Sequence, residues 1–348
     1  MKIAVIAPFF NRENLDGSVW IDHFVRDEGF AFKHVPRQTP MPKWHDRKSK
    51  LTPPVEWVRY IRQAADAFKT KPEVVVSVFP QLAACAGLLG RFNPDTKVLA
   101  WMFNVGTCHS GYRQWVSRIA LSNIDRFVVH TRREIKIYSD WLGLPQERFV
   151  FVPYQSPEID QTVPEDEEAP FISAMGSAHR DYRMLARILH DIQLPTTIAS
   201  SHAALDGIDL PDCVQTPFGI SKQECLEITQ RARVNVIPLL PKPAVTAAGQ
   251  VTLVEAMFMG KVLVATEYYG VEDYLQHEKT GLLVKPHDEE GFKAAILRLW
   301  NDKDLRVELA ENSRRYAREH FSDQAAGRAL EQHLKELQQP SIQAGEIA

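Results

Sequence analysis

Short apolar runs alternate with longer amphipathic stretches along the first half of the chain. Ile3–Phe9, Val74–Phe79, Val98–Phe103, Arg126–His130 and Phe149–Val152 are four to seven residues long and rich in β-branched and aromatic side chains, which predicts buried strands. Between them, Val55–Phe68 sets Trp57, Ile61, Ala64, Ala65 and Phe68 at helical spacing and predicts one apolar helix face. Such a βαβ series implies a parallel sheet covered by helices on both faces. A second series follows, with strands expected at Pro170–Met175, Thr196–Ser201, Val234–Pro238, Val262–Thr266 and Leu282–Val284, and helices near 181–190, 222–232, 250–259 and 289–301. The polar, acidic, proline-punctuated stretch Gln155–Pro170 has no apolar period and is expected to be a linker. Beyond Lys303 the pattern is helical, with Leu305, Leu309, Ser313, Tyr316 and Phe321 on one stripe; Ser322 and Asp323 offer an N-cap for a last helix, and Gln338–Ala348 is a polar, frayed end. The expected organisation is a Rossmann-like domain over 1–155, a linker over 156–169, a second α/β domain over 170–322 and a C-terminal helix over 323–340 returning to the first domain.

A length of 348 residues suits two domains of about 150 residues each. With 45% hydrophobic and 24% charged residues the chain can fill a core and is not disordered. The opening run Met1–Pro8 is too short for a signal-peptide core, and no window approaches the roughly 18 apolar residues of a membrane span, so cytoplasmic residence is expected. Cys85, Cys108, Cys213 and Cys225 lack metal-ligand spacing and are expected to be packed thiols. The net charge of −3 conceals a split: residues 1–155 hold 22 Lys and Arg against 14 Asp and Glu, and the remainder 19 against 30. A basic first half attracts anionic partners, phosphates or lipid headgroups among them, and keeps peripheral contact with the inner membrane face open; it fits a solvated surface with no charged partner equally well. Pro42–Lys50, with four Lys or Arg and Trp44, is suited to such contact and equally to being a solvated loop. No stacking platform or recognition helix accompanies the charge, so nucleic acid is not an expected partner.

The turn after the first strand lacks the G-x-G-x-x-G glycines, and neither a P-loop nor a G-x-S-x-G elbow occurs, which argues against nicotinamide, flavin and serine-hydrolase chemistry. The richest segment is Thr246–Thr266. Small residues Ala247, Ala248 and Gly249 lead into a helix whose first-turn amides, at Gln250, Val251, Thr252 and Leu253, suit phosphate. One turn further, Glu255 can accept two hydroxyl hydrogen bonds from a ribose. Taken alone, a small-residue turn before a helix is also an ordinary connection in α/β proteins.

Glu255-Ala-Met-x-Met-Gly-Lys-x-Leu-Val-Ala-Thr266, Gly270-Val-Glu-Asp-Tyr274 and Thr280-Gly-Leu-Leu-Val-x-Pro-x-Asp288 together resemble the C-terminal domain of family 4 glycosyltransferases, whose GT-B fold sets two Rossmann-like domains across a cleft. Upstream, Met175-Gly-Ser-Ala-His-Arg-Asp-Tyr182 is similar to the family's turn that meets the donor diphosphate, which implies roles for Gly176, Ser177 and Arg180. Phe218-Gly-Ile-Ser-Lys222 is similar to the segment beside the nucleobase, and Lys222 or Lys242 could assist the leaving group. The resemblance implies retaining, metal-independent hexosyl transfer from a UDP or GDP sugar, with no cofactor, to a glycan, glycolipid or small-molecule acceptor, as in cell-surface polysaccharide biosynthesis. It extends over about 170–325 and is architectural over 1–155. Two departures stand out. Ala247 occupies the place of the first glutamate of the family's E-x7-E motif, and the glycine pair after the first strand is missing, with only Gly17 nearby. In the first domain Asn104, at the end of the central strand, His109 and His130 are candidate positioning or proton-transfer groups. Each also fits a plain role, Asn104 as a turn former and the histidines as satisfied strand-end residues. A catalytically degenerate nucleotide-binding scaffold and a GT-B nucleotide-sugar epimerase remain alternative readings.

Overall fold

Period-two alternation puts Ile3 and Val5 on one face of a sheet and Ala4 and Ile6 on the other, and each set has its own core. In the computed structural model, which describes residues 1–10, 20–38, 52–242 and 246–338, the chain divides into two units. The first comprises Met1–His130, Glu134–Val152 and the chain from Asp323; the second comprises Thr131–Arg133 and Pro153–Ser322. Gly17 and Pro42–Lys50 lie outside the described residues.

The first unit runs β1 (Lys2–Ile6), β2 (Ala31–His34), α1 (Pro54–Lys69), β3 (Val74–Val78), α2 (Pro80–Gly90), β4 (Lys97–Trp101), α3 (Tyr112–Leu121), β5 (Arg126–Val129), α4 (Arg132–Leu142) and β6 (Phe149–Phe151). Its described strands form one parallel sheet in the order β2-β1-β3-β4-β5-β6. Ala4, Ile6, Val75, Val98 and Phe127 pack against side chains of α1, α2 and α4. The opposite face, with Val5, Val76, Leu99 and Trp101, is covered by Trp20, Ile21 and Ala326, Leu330 and Leu334 of the final helix. That apolar face needs a cover, which explains why the chain returns here after completing the second unit.

The second unit runs β7 (Ile172–Met175), α5 (Tyr182–Ile192), β8 (Thr196–Ala199), α6 (His202–Leu205), β9 (Val214–Gln215), α7 (Lys222–Arg231), β10 (Val234–Ile237), α8 (Gln250–Phe258), β11 (Leu263–Thr266), β12 (Leu282–Val284), α9 (Glu289–Asn301) and α10 (Lys303–His320). Its sheet is parallel in the order β12-β11-β10-β7-β8-β9. One face packs on α5 and α9, the other on α8 and the Tyr269–Leu275 segment. The last helix, α11 (Asp323–Gln338), belongs to the first unit. Among the described residues no helix is long and apolar enough to cross a membrane.

Two expectations are corrected, and two strands are additions to the expected set. The Gln155–Pro170 stretch has no helix or strand, but it is bound to the second unit. The Thr162 and Val163 amides donate to Gln230 Oε1 at 2.7 and 2.8 Å, Glu165 pairs with Arg233 at 3.0 Å, and Glu158 pairs with Arg318 at 3.3 Å. Glu158, Asp160 and Glu165 find arginine partners, so polarity there did not mean a free linker. The edge strands β2 and β9, short and partly exposed, have no apolar run to announce them. On α1 the predicted stripe turns outward at its start. Trp57 is 37% and Ile61 45% exposed, while Tyr60, Gln63, Ala64, Ala67 and Phe68 are buried. Glu56 takes a buried place on that helix because it pairs with Arg37 at 2.7 Å, which offsets the two opposite charges.

The return of α11 depends on Gly327, where an added Cβ would lie 2.6 Å from Phe24 Cβ and 2.9 Å from the Ile21 carbonyl oxygen. Gly327→Val therefore forces α11 away from the segment it covers, and unfolding should become easier by about 1–3 kcal/mol. A thermal melt in which this variant matched the parent would refute the close approach.

Candidate functional site

In an open parallel sheet, a crevice forms at the carboxyl ends of the strands where the chain order reverses. In the second unit that point lies between β7 and β10, because β8 and β9 continue one way from β7 and β10 begins the other side. The loops after these two strands meet there. Arg180 bridges to Leu239, the Asp181 amide donates to the Pro238 carbonyl at 2.9 Å, and the Leu240 amide donates to the His179 carbonyl at 2.9 Å.

Gly176 opens the first loop at φ +96°, and an added Cβ would sit 2.9 Å from the Arg180 guanidinium. Glycine thus permits both the left-handed turn and the close approach of the cation. Arg180 is half-buried and oriented by the Met175 carbonyl (Nε, 3.0 Å), the Ala178 carbonyl (Nη1, 2.9 Å) and Thr252 Oγ1 (Nη2, 3.4 Å). Burial pulls its pKa down, and Tyr182 opposes the shift. The Gly176 carbonyl accepts from Tyr182 and Ser200, and Ser177 Oγ accepts from the Ser201 amide at 3.0 Å, so this loop is rigidly held.

Gly249, at φ +98°, starts α8, and no side chain caps that helix. Most of α8 is buried. Val251, Thr252 and Glu255, at positions i, i+1 and i+4, form its open strip. Arg180 reaches Thr252 on this strip, and Lys222, the first residue of α7, makes an ion pair with Glu255. The strip therefore lies between two cations beside an uncapped helix start, an arrangement suited to a diphosphate carrying a hydroxylated group. Phe218, 37% exposed, stacks on His202 with centroids 3.7 Å apart and an interplanar angle of 19°. His202 and Ser200 had no sequence signal; the fold brings them to this edge from the segment after β8.

Not every expected residue serves as expected. Leu253 is wholly buried, and its amide donates within the helix to the Gly249 carbonyl at 3.0 Å, so it is removed from the anion-binding set. Gln250 is buried, with its amide group donating to the Tyr269 carbonyl at 2.6 Å, which leaves only its backbone at the helix start. Lys242 is exposed. Ala247 places no carboxylate in this region.

In the first unit, Asn104 and His109 line a cavity of about 620 Å³. Asn104 is exposed and its Oδ1 accepts the Gly106 amide at 2.8 Å, the turn-forming role. The His109 carbonyl accepts from Trp141 Nε1 at 2.8 Å. His130 is buried, and its Nδ1 lies 2.8 Å from the Val152 carbonyl, which can only accept, so Nδ1 carries a proton. Burial lowers its pKa to about 4, with the Val152 contact opposing. Burial thus keeps it neutral near pH 7 at the end of β5, with Nδ1 held by the Val152 carbonyl, so it is not a group that titrates near neutral pH. Among the described residues no group of three His, Cys, Asp or Glu could hold a metal ion.

Residues 205–316 match the family Glycosyl transferases group 1. The chain is 28% identical over 148 residues to the amylovoran biosynthesis glycosyltransferase AmsK of Erwinia amylovora, a match covering 42% of this chain and 35% of that one; it thus matches about a third of that relative's length. Sucrose-phosphate synthase from Thermosynechococcus elongatus superposes with a TM-score of 0.67 at 15% identity, covering 97% of this chain and 98% of that one. Anabaena Alr3699/HepE in complex with UDP does so with a TM-score of 0.62 at 12% identity, covering 97% and 100%. Two Rossmann-like units with parallel six-stranded sheets, matched over nearly the whole chain, give the GT-B fold.

Proposed function

We propose that the chain is a retaining glycosyltransferase that moves a hexose from a nucleoside-diphosphate sugar, UDP-linked or GDP-linked, to a glycan or glycolipid acceptor. The observation that carries this reading is the open strip of α8 with Arg180 on Thr252 and Lys222 on Glu255, at the reversal point of the second sheet. The family match over 205–316 supports it, as do the Anabaena Alr3699/HepE structures in complex with UDP and with UDP-glucose.

In such a transfer the bond from the anomeric carbon to the diphosphate oxygen breaks, and the acceptor oxygen bonds to the same carbon from the same face. The acceptor's proton passes to the departing diphosphate. Negative charge grows on the leaving oxygen, so Arg180 and the amides of Gln250, Val251 and Thr252 contribute by stabilising it. Glu255 accepts hydroxyls of the ribose in place of its contact with Lys222. Metal independence and a cytoplasmic location at the inner membrane face belong to this proposal.

The test is thermal stability with UDP, GDP, ADP, CMP and dTDP compounds and their sugars, followed by release of the diphosphate from the sugar that binds. A ligand at 100 times its Kd should stabilise the fold by about 2.7 kcal/mol. One nucleotide is expected to do so and its sugar to be turned over. Binding without any turnover across a panel of acceptors would instead leave a nucleotide-binding scaffold, the outcome Ala247 makes worth checking. No shift with any nucleotide would overturn the donor site.

A further inference from the structure

The apolar stripe of α1 does not close against the core at its start, and neighbouring helices extend the same open surface. Trp57 and Ile61 of α1, Leu88 of α2 and Tyr112 and Val116 of α3 are 37–76% exposed, and all line the cavity of about 620 Å³. Its volume is within the range of about 300–1,000 Å³ common for small-molecule sites, and Ala84 contributes to its wall. A concave apolar groove of this size needs an occupant with an apolar body.

The charges around the groove narrow the choice. Arg113 lines it and has no ion pair or side-chain hydrogen bond among the described residues. Arg91, just after α2, and Arg118, on α3, do not line the groove but lie on the helices that form it and have no carboxylate partner among the described residues; Arg91 donates to Ser122, and Arg118 to main-chain carbonyls. The described acidic residues of α1 are already engaged, Glu56 with Arg37 and Arg59, and Asp66 with Lys69. The groove includes Pro80 and Gln81, after β3, and Asn104, Val105 and Thr107, after β4, at the carboxyl edge of the first sheet where ligands gather.

We propose that this groove holds the hydrocarbon chain of an anionic amphiphile, with the phosphate of its headgroup at Arg113, and that this amphiphile is the glycolipid-type acceptor of the reaction. The inference rests on the transferase reading and specifies its acceptor. Trp57, Ile61 and Leu88 take the chain. Arg113 meets the phosphate and thereby places the acceptor's polar end beside Asn104 and His109.

The test uses dodecyl phosphate below its micelle-forming concentration, followed by tryptophan fluorescence and thermal shift, with hexyl phosphate, dodecyl maltoside and inorganic phosphate for comparison. Saturable binding of dodecyl phosphate is expected, at least 100-fold tighter than hexyl phosphate, with the neutral maltoside weaker and inorganic phosphate inert. Ala84→Phe, which fills the groove, and Ile61→Glu, a change at an exposed position that spares the core, should each weaken it at least 10-fold, as should Arg113→Glu. All three should retain the nucleotide shift. Absence of saturable binding, or binding that these changes leave alone, overturns the inference. So does binding to phosphatidylglycerol vesicles without binding to the monomeric amphiphile, which would make the surface a bilayer-docking face. If the nucleotide shift persists without dodecyl phosphate binding, only the acceptor assignment fails; dodecyl phosphate binding with no nucleotide shift removes the transferase reading instead.

Discussion

A Glu255→Gln chain is expected to melt within a few degrees of the parent and to bind its nucleoside diphosphate roughly 10- to 100-fold more weakly. Hydrogen bonds to a charged acceptor contribute about 1.5–3 kcal/mol, and the neutral amide keeps the shape while losing most of that. The fold itself should barely respond. The Glu255 side chain is only 14% exposed, but its Lys222 partner is 60% exposed and keeps the pair screened by water, so it contributes about 0–1 kcal/mol to stability. Calorimetric titration of both chains with the nucleotide that stabilises the parent would measure the ratio. Equal affinities would show that Glu255 touches no ligand and would move the nucleoside elsewhere in the second unit. A large fall in melting temperature would instead make Glu255 a structural residue held by Lys222.

Stability should fall in mild acid, and His130 should account for about 3 kcal/mol of the loss. In the unfolded chain its imidazole takes a proton near 6.5, but in the folded chain only near 4, because burial disfavours the cation. Between those values the unfolded state binds more protons, so stability rises with pH. The full contribution is therefore present above about pH 6.5 and is lost as pH falls to about 4; at 1.36 kcal/mol per pH unit the interval amounts to about 3 kcal/mol. His130→Asn can still donate to the Val152 carbonyl and does not titrate. Urea unfolding at pH 7.5 and 4.5 should show a parent loss larger than the variant's by about that amount. Carboxylates such as Glu56, held low by arginine hydrogen bonds despite an opposing burial penalty, lose stability in acid in both chains, so the difference isolates the histidine. Parallel pH profiles would mean that His130 is protonated in the fold.

The same two residues show how far a linear reading reaches. Glu255 was legible because a glycine turn, a helix start and a carboxylate one turn later are local features, all within seven residues. Its partner Lys222 is 33 positions away, and their pairing is a product of how α7 and α8 pack. Arg180 was legible as a cation near a glycine turn, but its reach to Thr252 depends on the neighbouring placement of β7 and β10. His130 was placed correctly at a strand end, yet its chemistry is set by burial and by the Val152 carbonyl, neither of which leaves a trace in spacing.

Strand and helix periods, the glycines at 176 and 249, the basic first half and the two βαβ series were written in the chain itself, because each depends on residues close in sequence. Tertiary structure alone decided the rest. It put α11 on the far face of the first sheet, since only the assembled sheet shows which face is uncovered. It bound the acidic stretch to the second unit through arginines far along the chain. It also left Trp57 and Ile61 facing an open groove, because a helical period tells which residues share a face and only packing tells what that face meets.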